Sequence, residues 1–438
     1  MLLKRSNHQL SQAIASLFIF PFSAGGNYCH PDEAHCRLMK ILHFASHFSL
    51  LSETFIYDEI HALEKAFPNG NTFLTFERHL EKERPFPRVT VLSKTPSPAQ
   101  KLRRRCLKLF KAVNVPRENL SLYSYLARNF DSFDLLQAHF GWNALPVCQT
   151  LRLLNWEKRK PIVVRCQGSD INSLPVVNPN YRKELLELAR YPNVWLTANS
   201  EFMKQKMLQL GIAPARIRLV ANAFNSAFPT HRKRQFFKPG DCLKLVNTAR
   251  FIEWKGQRHL VTGFARFVRE VYANATLTLI GDGQTLDQVK QLASREGIAD
   301  QIKFPGSVPH DELAQVLSAH DLYVQPSIID PQTHQEEGLP IAVLEALSVG
   351  LPLIVTRTGG MPEIVGADNT FARIVPDQDP EAIYCALKDM FETGACFQDT
   401  SAYAQNRLAA FTAERQLADL KSVYAAALGQ PRQPTSRG

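Results

Sequence analysis

The sequence predicts an α/β protein of parallel sheets, divided into more than one domain. Three observations support this. From Lys40 onward, short apolar runs alternate with longer stretches of helical periodicity, the pattern of strands joined by crossover helices. The chain has 438 residues, a length that suggests two or more domains. Residues 229–242 carry Pro229, Pro239, Gly240 and the basic run His231–Arg234, and read as a linker between two such alternating halves.

Composition narrows the class. At 45% hydrophobic and 21% charged residues the chain resembles an ordinary soluble globular protein. Its eight cysteines (Cys29, Cys36, Cys106, Cys148, Cys166, Cys242, Cys385, Cys396) show no C-x-x-C or Cys/His metal spacing. They read as small, mostly buried thiols in a reducing compartment. No apolar run reaches the about 18 residues of a membrane-spanning helix. The formal charge is +10, and part of it lies in Lys101–Lys111, where bases alternate with Leu102, Leu107, Leu109 and Phe110. That stretch suits either an anionic membrane surface or a solvated helix face. No nucleic-acid-binding motif accompanies the charge, so no nucleic acid partner is expected.

In chain order, residues 1–38 join Lys4 and Arg5 to a short apolar core, and Met39 opens a good first strand. Residues 1–38 therefore read as a disordered extension or as residues ahead of a later start. Lys40–Ser46 is the first strand. His47–Ile56 is a loop entering a helix, with Ser52 as N-cap and Asp58, Glu59 and Lys65 on its polar face. Asn71–Phe76, Arg88–Leu92 and Phe133–Ala138 are further strands, the last running into His139. Open α/β sheets place ligand-contacting groups at that end of a strand, although a lone histidine also serves as a structural polar group. Pro161–Arg165 is a buried strand that leads to Gln167, Gly168 and Asp170. Asn193–Ala198 and Arg216–Ala221 follow, with a helix between them that ends near Gly211.

The second half begins with the strand Leu243–Asn247 and a loop carrying Arg250 and Lys255, then a helix through Val271. Two cations on one strand-to-helix loop suit an anionic ligand. Thr276–Ile280 runs into Gly281 and Gly283, which allow close backbone approach. Gln301–Phe304 precedes a loop with Val308. Leu322–Gln325 opens the long loop to Glu337, and Leu353–Val355 leads to Thr358-Gly359-Gly360-Met361-Pro362-Glu363. Arg373–Val375 is followed by Asp377-Gln378-Asp379, which sits just before a helix and reads as turn and cap, not as a metal-binding D-x-D. The remaining residues, from 401, are helical.

The most informative stretch is Glu337-Gly338-Leu339-Pro340, running into Ile341–Ser348 and Gly350. Proline suits the start of a helix and glycine the residue past its end. Ile341, Leu344 and Leu347 share one face, which should pack inward. Glu345 is then a carboxylate inside an apolar helix, and burial without a partner is costly, so a hydrogen-bond donor should meet it. A helix N-terminus between two carboxylates is a place for a phosphate flanked by hydroxyls.

With seven residues between Glu337 and Glu345, and Gly338 and Pro340 in place, this stretch resembles the EX7E motif of the family 4 retaining glycosyltransferases. The Arg250…Lys255-Gly256 and Thr358-Gly359-Gly360…Pro362-Glu363 strings fit the same family. Ser52–Ile56 and Ala138–Gly141 resemble its members that assemble bacterial surface polysaccharides. The resemblance covers roughly residues 39–430. It implies a GT-B fold, two Rossmann-like doubly wound domains facing a central cleft. Residues 39–228 would form the acceptor side and 243–400 the nucleotide-sugar side, with 401–438 crossing back as helix and tail.

The resemblance implies sugar transfer from a UDP- or GDP-sugar to a glycan or polyprenyl-linked acceptor, in the cytoplasm or at the inner face of its membrane. No metal or other cofactor is implied. Glu337 would hold the donor sugar and Glu345 the ribose, while Arg250 and Lys255 neutralise the diphosphate. Gly338, Leu339, Gly281, Gly283, Gly359, Gly360 and Val308 would line the donor, and His139 and Asp170 would face the reacting centre. Two departures stand out. Gln167 occupies a position where relatives carry histidine, and Ala223 one where they carry glycine. The alternatives are a nucleotide-sugar epimerase or glucan synthase on the same fold, or a non-catalytic nucleotide-sugar binder.

Overall fold

The structure is a computed structural model that describes residues 39–50, 53–95, 98, 119–154, 160–224, 240–367 and 369–429. The N-terminal extension, the basic stretch Lys101–Lys111, Ser52 and the linker up to residue 239 lie outside the described residues.

Two parallel sheets form the frame. The first joins β1 (Ile41–Phe44), β3 (Asn71–Thr75), β5 (Val89–Val91), β6 (Leu135–His139), β7 (Ile162–Arg165), β8 (Val194–Ala198) and β9 (Ile217–Leu219). Their order is β5-β3-β1-β6-β7-β8-β9. A two-stranded ribbon, β2 (His47–Phe48) and β4 (Glu77–Arg78), extends from the ends of β1 and β3. The second sheet joins β10 (Leu243–Thr248), β11 (Ala275–Ile280), β12 (Ile302–Gly306), β13 (Leu322–Gln325), β14 (Leu353–Thr356) and β15 (Ala372–Val375), in the order β12-β11-β10-β13-β14-β15. Each order reverses direction once, beside β1 and beside β10. Such reversal points open a crevice at the carboxyl ends of the strands.

The strands read as continuous apolar runs because both faces are covered. Along β1, Ile41 and Leu42 enter different cores on opposite faces, as the two-residue repeat of a strand requires. One face packs Leu42, Phe44, Leu136, Val164 and Leu196 together. The other packs Ile41, Leu135 and Val163 against Leu420, Val423 and Tyr424 of the last helix, Ala413–Ala427. Burial of each such side chain stabilises by about 1.5–3 kcal/mol. Among the described residues the tail thus holds two helices, Ser401–Leu408 and Ala413–Ala427, and the second covers the N-terminal sheet.

Several local expectations are corrected. Glu59 is buried, not solvated. Its carboxylate pairs with the buried guanidinium of Arg165 at 2.7 Å and accepts from Gln137 and Gln416. The burial results from where the helix Thr54–Ala66 lies across the sheet. The helix Ile341–Ser348 was expected to bury one face, yet Val343 through Ser348 are all buried. It sits between the second sheet and the helix Ser401–Leu408. Among the described cysteines none is in a disulfide.

Candidate active site

The loops at the carboxyl ends of β10, β13 and β14 converge with those of the N-terminal sheet. Gly256 closes the turn after Lys255 with φ +68°, and a Cβ there would lie 1.9 Å from the Pro326 carbonyl oxygen. That close approach sets the Lys255 loop against the strand end of β13. The Lys255 ammonium donates to Glu337 Oε1 at 2.6 Å, and the Ser327 hydroxyl donates to the same oxygen at 2.6 Å. It also lies 4.0 Å from the Trp254 ring centroid. Burial lowers the pKa of Lys255 while Glu337 opposes the shift, and the nearby Arg250 adds to it. Arg250 is exposed at the same crevice.

Glu345 has the partner its burial demands. His310 Nε2 lies 2.9 Å from Glu345 Oε1. That hydrogen bond raises the pKa of His310, against the effect of burial. Asp58, on the helix Thr54–Ala66, faces the same pair across the cleft. Burial raises its pKa and His310 opposes the rise. Glu53, just before that helix, is raised to about 7 by burial, with the Arg250 charge acting against the shift. The two domains therefore bring carboxylates of one opposite cations of the other.

The contact between domains is direct. Gly338 lies so close to the N-terminal domain that a Cβ would sit 2.5 Å from the Gln167 carbonyl oxygen. Its own carbonyl accepts from Gly360 at 2.9 Å and from the Ser200 hydroxyl at 3.3 Å. Lys206 pairs with Glu336 at 2.8 Å, and Asn172 donates to the Glu336 carbonyl. Glu363 accepts the backbone N–H groups of Glu201 and Phe202 at 2.7 and 2.6 Å, at the start of the helix Glu201–Leu210. A carboxylate suits the positive end of a helix.

Not every expected residue sits as anticipated. The Gly359 and Gly360 amides, expected to turn toward a donor, bond to Glu336 Oε2 and the Gly338 carbonyl. Gly281 and Gly283 face the carbonyls of Ala249 and Phe251, at 2.0 and 2.4 Å from the Cβ positions. Their lack of a side chain lets β11 press on the Arg250 loop. Leu339 is buried and Val308 half-buried, both in the core around the helix Ile341–Ser348. Asp379 caps the helix Pro380–Glu392 through Ala382 N–H, and Asp377 accepts from Ile329 N–H.

His139 and Asp170 require correction. Asp170 is fully buried, and its carboxylate accepts N–H groups from Gly141, Gln167 and Gly168 at 2.8–3.0 Å. Those bonds clamp the loop after β6 to the loop after β7, which leaves it a positioning residue. His139 is fully buried between His43 and Phe73, with no hydrogen bond to either ring nitrogen. Burial holds its pKa well below the usual histidine range. The next residue, Phe140, has φ +69°, a strained conformation for a bulky residue. Gln167 takes part in a buried network. Its side-chain oxygen accepts from Asn222 at 2.7 Å, and Asn222 accepts from Arg165.

Sequence reading gave no site role to Glu53, Asp58, His310, Glu336 or Ser327. Ser327 lies two residues past the end of β13, a position that could have marked it, whereas His310, which begins the helix after β12, left no such signal.

Residues 230–407 match the family model Glycosyl transferases group 1. The C-terminal half is a group 1 glycosyltransferase domain. Relatives extend the likeness across the chain. A Salmonella typhimurium protein named as the colanic acid biosynthesis glycosyltransferase WcaL is 28% identical over 376 residues, covering 80% of this chain and 90% of its own. The amylovoran biosynthesis glycosyltransferase AmsK of Erwinia amylovora is 24% identical over 375 residues, with the same coverage. Among solved structures, Anabaena HepE in complex with UDP and glucose superposes with a TM-score of 0.68 at 18% identity, over 89% of this chain and 100% of that one. The fold of this glycosyltransferase is GT-B, with two doubly wound parallel sheets and the crevice between them. Among the described residues no helix is long and apolar enough to cross a membrane.

Proposed function

We propose that this glycosyltransferase moves a sugar from a UDP- or GDP-sugar to a glycan or polyprenyl-linked acceptor, with retention at the anomeric carbon. The product is part of a surface polysaccharide, and no metal is required at the reacting centre. The observation that carries this reading is the Lys255–Glu337 pair, held at the crevice beside exposed Arg250. The printed names of WcaL and AmsK support a polysaccharide product, and the HepE complexes with UDP and with UDP-glucose support a nucleotide-sugar donor.

Arg250 and Lys255 stabilise the diphosphate as it leaves, and Glu337 orients Lys255 and a donor hydroxyl. Glu345, steadied by His310, takes the ribose hydroxyls. With His139 buried and Asp170 bound to three amides, transfer proceeds on the donor face, where the leaving phosphate accepts the acceptor's proton. Positioning and charge stabilisation then supply the rate enhancement. The enzyme works in the cytoplasm or against the inner face of its membrane.

The test is a thermal-shift screen against UDP, GDP and ADP, followed by donor hydrolysis and transfer with the best nucleotide's sugars. Saturable stabilisation and chelator-resistant turnover are expected. No stabilisation by any nucleotide would overturn the reading. Binding without turnover on any lipid-linked acceptor would replace it with a non-catalytic binder.

A further inference from the structure

Three metal-ligating side chains meet away from the donor-side residues, where β2 runs beside β4. His47 opens β2, Glu77 opens β4 and His79 follows it, and the parallel register sets His47 opposite Glu77. His47 Nδ1 lies 3.1 Å from Glu77 Oε2 and 3.3 Å from His79 Nε2. His79 Nε2 lies 3.5 Å from the same carboxylate oxygen. Among the described residues this is the one group of three His, Cys, Asp or Glu side chains gathered closely enough to hold a metal ion.

The size of the triangle is informative. Ligands about 2.0–2.1 Å from a tetrahedral zinc lie about 3.3–3.4 Å from one another. The three observed separations bracket that value. Hydrogen bonds from both imidazoles to Glu77 Oε2 leave the 3.3 Å His47–His79 edge unserved, whereas a central cation engages all three atoms. Lys94 pairs with the other oxygen of Glu77, which fixes the carboxylate with Oε2 toward the imidazoles. The Lys94 charge also opposes a cation, which sets the affinity below that of a closed structural site. The three side chains are 42%, 38% and 35% exposed, so an ion has a path in and room for a water as fourth ligand.

We propose that His47, Glu77 and His79 bind a divalent late first-row transition ion of zinc type. Imidazole and carboxylate are suitable ligands for such ions. The inference does not depend on the proposed donor chemistry. The ion ties the loop after β1 to the loop after β3, and the first of these leads into Glu53 and the helix Thr54–Ala66.

The test uses the full chain without an affinity tag, stripped with chelator and titrated with Co²⁺ and then Zn²⁺. Expected results are one Co²⁺ per chain with the visible bands of low-symmetry nitrogen and oxygen ligation, displaced by Zn²⁺. In the His47→Ala/His79→Ala double variant, affinity should fall by more than the about 10–100-fold that loss of an outer-shell partner costs. The isosteric Glu77→Gln variant should also bind more weakly. Far-UV circular dichroism of the metal-free variants should match wild type. Failure of wild type to bind cobalt, unchanged binding in the double variant, or a cobalt–thiolate charge-transfer band would each overturn the proposal.

Discussion

The ammonium of Lys255 and a carboxylate oxygen of Glu337 stand 2.6 Å apart across 82 residues of sequence. The pair couples the loop after β10 to the loop after β13, on either side of the point where the sheet order reverses. Under the proposed mechanism, removing Lys255 acts twice, on the charge presented to a leaving group and on the partner left behind. Lys255→Ala should lower kcat/KM at least about 100-fold. Breaking a buried pair from one side costs about 3–5 kcal/mol, so urea unfolding should show a clear loss. Wild-type turnover in this variant would exclude Lys255 from the chemistry.

Glu345 and His310 make stability depend on pH. The His310 pKa is raised in the folded state by its bond to Glu345. A raised histidine contributes stability that is complete below its unfolded value, about 6.5, and is lost as pH rises through the folded value. The stability gap between wild type and Glu345→Gln should therefore be larger at pH 6 than at pH 9. Glu345→Ala should also weaken nucleotide binding in calorimetry. A gap that does not change with pH would show that the pair does not titrate.

Gly338 tests the contact between domains. A methyl group there would meet the Gln167 carbonyl at 2.5 Å and the Asn199 amide nitrogen at 3.0 Å. Overpacking of this kind costs about 1–3 kcal/mol. Here the domains can separate to relieve it. Gly338→Ala should enlarge the radius of gyration in small-angle scattering and depress transfer, while each domain keeps its secondary structure.

Glu59 and Arg165 provide a stability test inside the N-terminal domain. Glu59→Ala leaves the fully buried guanidinium of Arg165 without its anion. The expected loss is about 3–5 kcal/mol, read by denaturant unfolding. Glu59→Gln should lose less, because an amide oxygen still accepts from Arg165.

The fold was legible because strand runs and helical periods alternate so regularly. Strand ends were less so: β3 stops at Thr75 and β5 spans only Val89–Val91, inside the broader runs that composition suggested. The proximity of Lys255 to Glu337 could be anticipated because both lie in compact local strings, with Arg250 and Glu345 in the same two strings. Glu345 even announced that it needed a partner. His310 could not be named, because a contact 35 residues away leaves no local pattern. The same holds for Glu363, which reaches a helix 162 residues earlier. His139 and Asp170 misled for a different reason. A position at a strand end says where the backbone goes, and whether the side chain meets solvent or core depends on what packs above it.

The helix Ala413–Ala427 closes one face of the sheet that the chain lays down first, with Leu420, Val423 and Tyr424 buried on it and Tyr424 donating to Gln137 at 2.5 Å. On the ribosome, that face has no cover until the helix Ala413–Ala427 has emerged. The N-terminal sheet precedes the second domain in the chain and its cover follows it, so its apolar face stays exposed while the second domain emerges and folds. Intermediates of this kind aggregate readily. A nascent chain stalled before the helix Ala413–Ala427 emerges should therefore be a strong chaperone client, even after the second domain has left the exit tunnel.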